Sequence, residues 1–386
     1  MSPLSQRSES AEPACVPFQR PSLPSAPEIE RYLQLSRKDR WFSNSGPCWR
    51  LLRDRLADRV GAYCIPVASG TLGLIAAIDA VLERPAGGGA RSAALLPSFT
   101  FIATAQAALW CGLTPLLADI DIAEWHLDAG ELERLPALRD DVAAVIAVSC
   151  FGTPPPAETR VRWEAACRAA GVPLVVDSAA GFGAVADDHT PIGGQGDIEV
   201  VSFHATKPFA IGEGGAVFTH SRAMRDRVEL AINFGLRPDR SLGMSRGLNA
   251  KMSELHAATA LAVLDNFDEI MQRRRRAAAY LRSHSGPNVG WQRGCERSTW
   301  QFVPVVFGDA DARVRAQRAS AGRFEVRTYY QPLHRMDPYR SLAATGNLAR
   351  TEDLCERILC LPMANDLSDA ELQRIVAAVA PDHAVV

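Results

Sequence analysis

The chain has 386 residues, of which 47% are hydrophobic and 22% charged, a composition that excludes disordered and fibrous classes and allows a large core beside a smaller unit. The formal net charge of -2 gives no electrostatic basis for binding nucleic acid or an anionic membrane. No stretch is both apolar and long enough to span a bilayer, and the polar N-terminus lacks a signal-peptide core, so the expectation is a cytoplasmic protein. The nine cysteines are irregularly spaced with no Cys-x-x-Cys pair, which argues against a disulfide framework and a structural zinc; no metal is expected.

Residues 1–25 are rich in Ser, Pro and Glu and read as a flexible arm, at least to Pro17. Glu28 to Arg40 reads as a helix, broken by the turn residues of Trp41 to Pro47. From there to about residue 220, short apolar runs alternate with helical ones. The apolar runs include Ala93 to Leu96, Val142 to Val148, Pro173 to Val176 and Val200 to Phe203; the helices include Thr71 to Leu82, Ala103 to Cys111 and Thr159 to Ala170. Such alternation marks an α/β fold in which helices flank a mostly parallel sheet.

A long amphipathic helix from about Ser253 to Ser283 leads into a smaller C-terminal α+β region, with strands Gln301 to Phe307 and Phe324 to Thr328 and a helix Asp369 to Ala380. The basic run Arg273 to Arg276 within the long helix reads as a solvated face. The expected organisation is therefore an arm (1–25), a large domain (26–262) and a small C-terminal domain (263–386).

Only three of the 42 basic residues are lysines, at positions 38, 207 and 251. Where arginine supplies nearly all positive charge, a surviving lysine points to a need for an amine, which can lose its proton and attack a carbonyl as guanidinium cannot. Lys207 lies in the stretch Ser202-Phe-His-Ala-Thr-Lys-Pro-Phe-Ala-Ile-Gly-Glu-Gly-Gly215, just past an apolar run, where parallel sheets place chemistry. Rarity alone fits an aldolase, a decarboxylase or no catalytic duty.

The neighbouring motifs supply the parts that a pyridoxal phosphate site needs. Asp177 closes the run Pro173 to Val176 and suits a pyridine nitrogen, although an acid there also suits a helix cap. Ser69-Gly70-Thr71 opens a helix in the manner of a phosphate site, or simply caps it. Phe101, in Pro97-Ser-Phe-Thr-Phe-Ile-Ala-Thr104, can stack on a ring or pack in the core. No Gly-x-Gly-x-x-Gly opens a helix after an early strand, which disfavours a dinucleotide-binding enzyme.

In order and spacing these segments resemble the DegT/DnrJ/EryC1/StrS family of pyridoxal-phosphate-dependent sugar aminotransferases, of fold type I. The resemblance runs from Arg20-Pro-Ser-Leu-Pro24 to Leu361-Pro-Met363 and includes Asp119-Ile-Asp121. Its most specific motifs are Val176-Asp-Ser-Ala-Ala180 with Gly183-Ala184, and Ser202 to Lys207 with Gly212-Glu-Gly-Gly215. It implies that Lys207 forms the Schiff base to pyridoxal 5'-phosphate and acts as general acid and base. By the same resemblance, Ser69, Gly70, Thr71 and Ser202 hold the phosphate, Phe101 stacks on the ring and Asp177 holds its nitrogen.

Gly247-Leu-Asn-Ala-Lys-Met-Ser-Glu254 resembles the family segment whose Asn reaches a neighbouring subunit's cofactor, so Asn249 implies a homodimer with shared sites. The implied reaction moves an amino group from L-glutamate or L-glutamine to a keto sugar, expected to be nucleotide-linked; His204, Arg246 and His334 are candidate substrate contacts. Three residues depart from the pattern: Ala180 replaces a Gln or His beside the cofactor's phenolic oxygen, Phe234 a His, and Lys251 an Arg. The alternatives are amination of a keto-cyclitol or another ketone, and a non-catalytic protein that binds the cofactor as a sensor. The family's dehydratase branch carries His at the position of Lys207, so dehydration is disfavoured.

Overall fold

The computed structural model describes residues 15–82, 91–134 and 141–379. Seven strands form one sheet in the order β1-β7-β6-β5-β4-β2-β3: β1 Tyr63–Val67, β2 Ala93–Pro97, β3 Thr114–Ala118, β4 Val142–Val148, β5 Leu174–Asp177, β6 Ile198–Ser202 and β7 Gly215–Thr219. Only β7 runs against the other six. The sheet is apolar on both faces because successive residues of a strand enter different cores. Ala94, Leu96, Ala144, Ile146 and Val175 face the helices Pro47–Val60, Gly70–Val81 and Glu254–Asp265, whereas Ala93, Leu95, Ala147 and Val176 face the helix Ala157–Ala170 and Trp163. Continuous apolar runs are what a strand covered on both sides requires. The α/β reading from alternation holds.

A second sheet, in the order β10-β9-β8, consists of β8 Val289–Gly290, β9 Val303–Phe307 and β10 Ile358–Leu361. Its own core includes Val303, Val305, Leu359 and Leu361 under helices Phe267–His284, Ala310–Ser320 and Asp369–Val379. An aromatic cluster joins this unit to the large sheet: Phe99, Phe151 and Tyr330 meet Phe18 and Phe302, with Phe151 stacked on Tyr330 at 4.8 Å.

Four expectations change. Residues 15–25 are not a free arm, since Val16 pairs with Phe324 and is fully buried and Phe18 stacks on Phe302 at 5.0 Å; residues 1–14 lie outside the described residues. The single helix expected from Ser253 to Ser283 is two helices, Glu254–Asp265 and Phe267–His284. Asn266 breaks it at φ -112°, and the second helix thereby places Phe267 and Met271 in the large core and Ala278 and Leu281 in the smaller one.

Phe324 to Thr328 is not a ladder strand. Phe324 makes one bridge to Val16 and Arg327 one to Cys360, so the segment divides its pairing between two neighbours. The run Arg273 to Arg276 is not wholly solvated either: Arg274 points inward, is 5% exposed and donates to Asn365 Oδ1 and to the Trp300 carbonyl, both at 2.7 Å. All nine cysteines are free thiols, and no helix among the described residues is long and apolar enough to cross a membrane.

Candidate active site

The carboxyl edge of the large sheet opens into a cavity of about 660 Å³, reached by the segments that follow β1, β2, β4, β5 and β6. Nine of the residues singled out in the sequence line it: Ser69, Gly70, Thr71, Phe101, Asp177, Ala180, Ser202, His204 and Lys207. A larger hollow of about 1140 Å³ lies at the opposite edge, beside the first residues of β4, β5 and β6. The smaller cavity, which holds the amine and the buried acid, is where chemistry is possible.

One end of the cavity is built for an anion. Helix Gly70–Val81 starts against the sheet, and its first-turn N–H groups lack intrahelical acceptors and concentrate the positive end of the helix dipole. The approach needs glycine, because a Cβ on Gly70 would come within 2.8 Å of Ser202 Cβ. Gly215 meets the same constraint from below: its Cβ would lie 2.6 Å from the Val201 carbonyl and 2.9 Å from Gly70 N. Ser69 Oγ caps the helix by accepting from Leu72 N at 3.2 Å, and Thr71 and Ser202 bring further hydroxyls to the same end.

Asp177 ends β5 and is 4% exposed. Thr104 Oγ1 donates to its Oδ2 at 2.7 Å and Ala179 N to its Oδ1 at 3.1 Å, and Thr104 is itself held by Thr100 Oγ1 at 2.8 Å. Burial pushes the Asp177 carboxyl above its ordinary range, against the pull of those two donors and of Lys207. A cationic partner entering the cavity would relieve that cost. Lys207 follows β6 on a turn in which its N–H bonds to the His204 carbonyl at 2.8 Å. Its side chain is half-buried, and desolvation lowers its pKa to about 8, opposed by Asp177. The amine therefore loses its proton far more readily than an exposed lysine does.

Phe101 stands at the mouth, 56% exposed, as the residue before helix Ile102–Trp110. An exposed aromatic on a cavity rim is poorly explained by core packing and is available to stack on a planar ligand. His204 is held by Thr206 Oγ1 at 2.9 Å and lies 3.6 Å from Glu213, at the rim.

Three sequence candidates lie away from the cavity. Asn249 is exposed on a bridge to Asn233, and Arg246 donates to the Trp110 carbonyl at 2.7 Å. His334 is fixed between Ser98 Oγ at 2.7 Å and Glu352 Oε1 at 3.2 Å. Conversely, Gln19, Gln301, Tyr329 and Tyr330 line the cavity and were not singled out. Gln19 Nε2 donates to the Thr206 carbonyl at 2.9 Å, which ties the first described residues to the Lys207 turn. Their neighbourhoods are ordinary in sequence, and only the packing of the second unit brings them to the first.

The model of the DegT/DnrJ/EryC1/StrS aminotransferase family matches residues 25–380. The chain is 35% identical over 384 residues to protein Rv3402c of Mycobacterium tuberculosis, covering 94% of this chain and 89% of that one. It is 27% identical to dTDP-4-amino-4,6-dideoxy-D-glucose transaminase of Shigella dysenteriae over 93% of this chain and 96% of the relative. Among solved structures, DesI determined with its TDP-sugar product is 31% identical with a TM-score of 0.83, over 94% of this chain and 91% of that one. A Bacillus cereus structure described as a PLP-dependent aminotransferase is 29% identical with a TM-score of 0.86, over 95% and 99%.

Proposed function

The chain belongs to the DegT/DnrJ/EryC1/StrS aminotransferase family, which makes it a pyridoxal-phosphate-dependent aminotransferase, and on that premise we propose that it aminates a nucleotide-linked keto sugar at the Lys207 cavity. One observation carries the assignment of the site: a desolvated amine, a buried carboxylate and a glycine-cleared helix start line one cavity. The phosphate fits the Gly70 cradle, where no side-chain carbon has room, and a protonated pyridine nitrogen fits the raised carboxyl of Asp177.

Pyridoxal phosphate, when bound, supplies an aldehyde that takes up an amino group and a cationic ring that draws electrons from the reacting carbon. Gly70 and Thr71 N–H groups and the hydroxyls of Ser69, Thr71 and Ser202 hold the phosphate. Asp177 keeps the ring nitrogen protonated, and Thr104 with Ala179 keeps Asp177 in place. Phe101, exposed at the cavity mouth, would be available to cover one face of the ring. With the cofactor in place, Lys207 Nζ would be the amine that takes its aldehyde carbon, and the same nitrogen, when free, would move the proton at the donor Cα. Its pKa of about 8 suits both tasks near neutral pH.

Sugar as the acceptor is favoured by the relatives, which include GDP-perosamine synthase of Caulobacter vibrioides at 28% identity over 88% of this chain. L-Glutamate or L-glutamine is the proposed donor. A homodimer with Asn249 serving the neighbouring cavity is supported by its exposure and by the exposed Phe234, whose N–H bonds to the carbonyl of the adjacent Leu248. The proposed division into a large domain (26–262) and a small one (263–386) is supported by the distinct core under the second sheet, although Phe267, Met271, Leu333, Tyr339 and Leu348 pack into the large core from beyond that boundary.

The test is turnover of purified protein with pyridoxal phosphate, either donor, and a panel of dTDP- and GDP-linked keto sugars. An aminated sugar forms with the wild type and is lost with Lys207→Ala. Release of no 2-oxo acid with any donor, with the cofactor bound unchanged, would favour the sensor reading instead.

A further inference from the structure

The amine of Lys207 has a specific resting partner. Nζ donates to Gln301 Oε1 at 3.3 Å, and Gln301 is 3% exposed on the far wall of the cavity, just before β9. The turn that carries Gln301 is strained. Trp300 has φ 57°, in the left-handed region that bulky residues rarely adopt and that persists only where surroundings over-determine it.

Those surroundings are present. Trp300 N donates to Ser298 Oγ at 3.1 Å, Thr299 N to the Gly152 carbonyl at 3.3 Å, and Thr299 Oγ1 to the Ala180 carbonyl at 2.6 Å. From the opposite side Arg274 Nη1 donates to the carbonyls of Trp300 at 2.7 Å and Gln301 at 3.4 Å, while its Nε donates to Asn365 Oδ1 at 2.7 Å. All three acceptors are neutral oxygens. Burial lowers the Arg274 pKa to about 10, so the guanidinium stays charged at pH 7 and its hydrogen bonds are the strong, charge-assisted kind. Strain of this sort gathers at functional sites, and here it faces the reacting nitrogen.

We propose that Gln301 is a positioning residue that holds the free Lys207 amine at one place in the cavity, and that Arg274 acts through it by fixing the Trp300-Gln301 turn. The proposal rests on the reading of Lys207 as the reacting amine. An amide oxygen suits the task because it accepts from the amine in both protonation states, each of which carries N–H donors. A carboxylate at the same point would also accept, but it would stabilise the ammonium and oppose the deprotonation that burial promotes. The neutral side chain fixes position without changing charge.

The experiment uses the cofactor-free full chain, mixed with pyridoxal phosphate, reduced with borohydride and analysed for the Lys207 adduct by peptide mass spectrometry across pH. Gln301→Glu should raise the pH midpoint of trapping by about 1–3 units. Gln301→Leu should slow trapping and, in the loaded enzyme, lower kcat by roughly 100-fold with little change in donor KM. Arg274→Met should lower kcat in the same direction without moving the midpoint. Adducts on Lys207 with unaltered rate and midpoint in both Gln301 variants would overturn the role of Gln301 alone. A wild-type adduct on another residue would overturn the reading of Lys207 and this proposal with it.

Discussion

Replacing Lys207 by methionine separates the cost of burying the amine from its use. Burial lowers the Lys207 pKa from 10.5 to about 8, and the attraction of Asp177 offsets only part of that. Below about pH 8 the amine is protonated in folded and unfolded chains alike, and the folded chain carries the full cost of a desolvated charge. That cost fades as pH rises from about 8 to 10.5, because the folded amine has already released its proton. At about 1.36 kcal/mol for each tenfold change in proton affinity, the interval amounts to roughly 3 kcal/mol. Cofactor-free Lys207→Met should therefore be more stable than cofactor-free wild type at pH 7 by up to roughly 3 kcal/mol, and by less than about 1 kcal/mol at pH 10. Methionine leaves Gln301 Oε1 without its donor, which returns about 1 kcal/mol at every pH, so the change with pH is the diagnostic part. Urea unfolding of both proteins at pH 7 and pH 10 measures it. A gap that stays constant between those values, or widens with pH, would refute a desolvated amine at this position.

Gly70→Ala should destabilise the cofactor-free protein by about 1–3 kcal/mol, since the new Cβ meets Ser202 Cβ at 2.8 Å, and should weaken cofactor binding in a fluorescence titration as the helix start moves away. Asp177→Asn keeps an oxygen for Ala179 N and removes a buried carboxylate whose pKa is raised by burial. Because that carboxylate becomes costly as pH rises above its ordinary value of 3.8, the variant should melt at a higher temperature than wild type at pH 7 without cofactor. With cofactor its turnover should fall on the order of 100- to 1000-fold, read by release of the 2-oxo acid.

Four strands of the large sheet were readable because they are largely apolar on both faces: Val142–Val148 appears in the structure with the same limits, and Ile198–Ser202 differs from the expected run by its ends, whereas Tyr63–Val67, Thr114–Ala118 and Gly215–Thr219 were not among the expected runs. Local motifs such as Ser69-Gly70-Thr71 were readable for a related reason, since cap, glycine and hydroxyl all act within one turn. What sequence could not supply was long-range. Gln301 reaches Lys207 across 94 positions, and Gln19 reaches Thr206 across 187, with no periodic or compositional signal at either residue. Arg274 is the sharpest case: among four consecutive arginines, three sit on partly or fully exposed positions, and only the helix's rotation against the second core turns one inward. Charge runs read as solvated faces because burial of one member depends on helix phase, which Asn266 resets.

The departures from the family pattern also gain meaning from position. Phe234 and Lys251, separated by 17 positions, lie together, with Lys251 Nζ 4.5 Å from the centre of the Phe234 ring. A ring face accepts a cation's charge without a proton to give, so the pair replaces hydrogen-bonding side chains with a contact that keeps one positive charge near the strand end at Val67, to which Lys251 is bridged. Ala180 is a different case. Its methyl side chain has no hydrogen-bonding group, but its carbonyl takes the Thr299 hydroxyl at 2.6 Å and so ties the Asp177 segment to the strained turn that carries Gln301. Among the described residues, Gln301 stands on the cavity wall beside Ala180 with an amide that can donate as well as accept. That amide is already engaged, Oε1 by Lys207 Nζ at 3.3 Å and Nε2 by Thr206 Oγ1 at 3.5 Å, so it ties the turn that carries Gln301 to the segment that carries the amine, the group whose placement the reaction depends on.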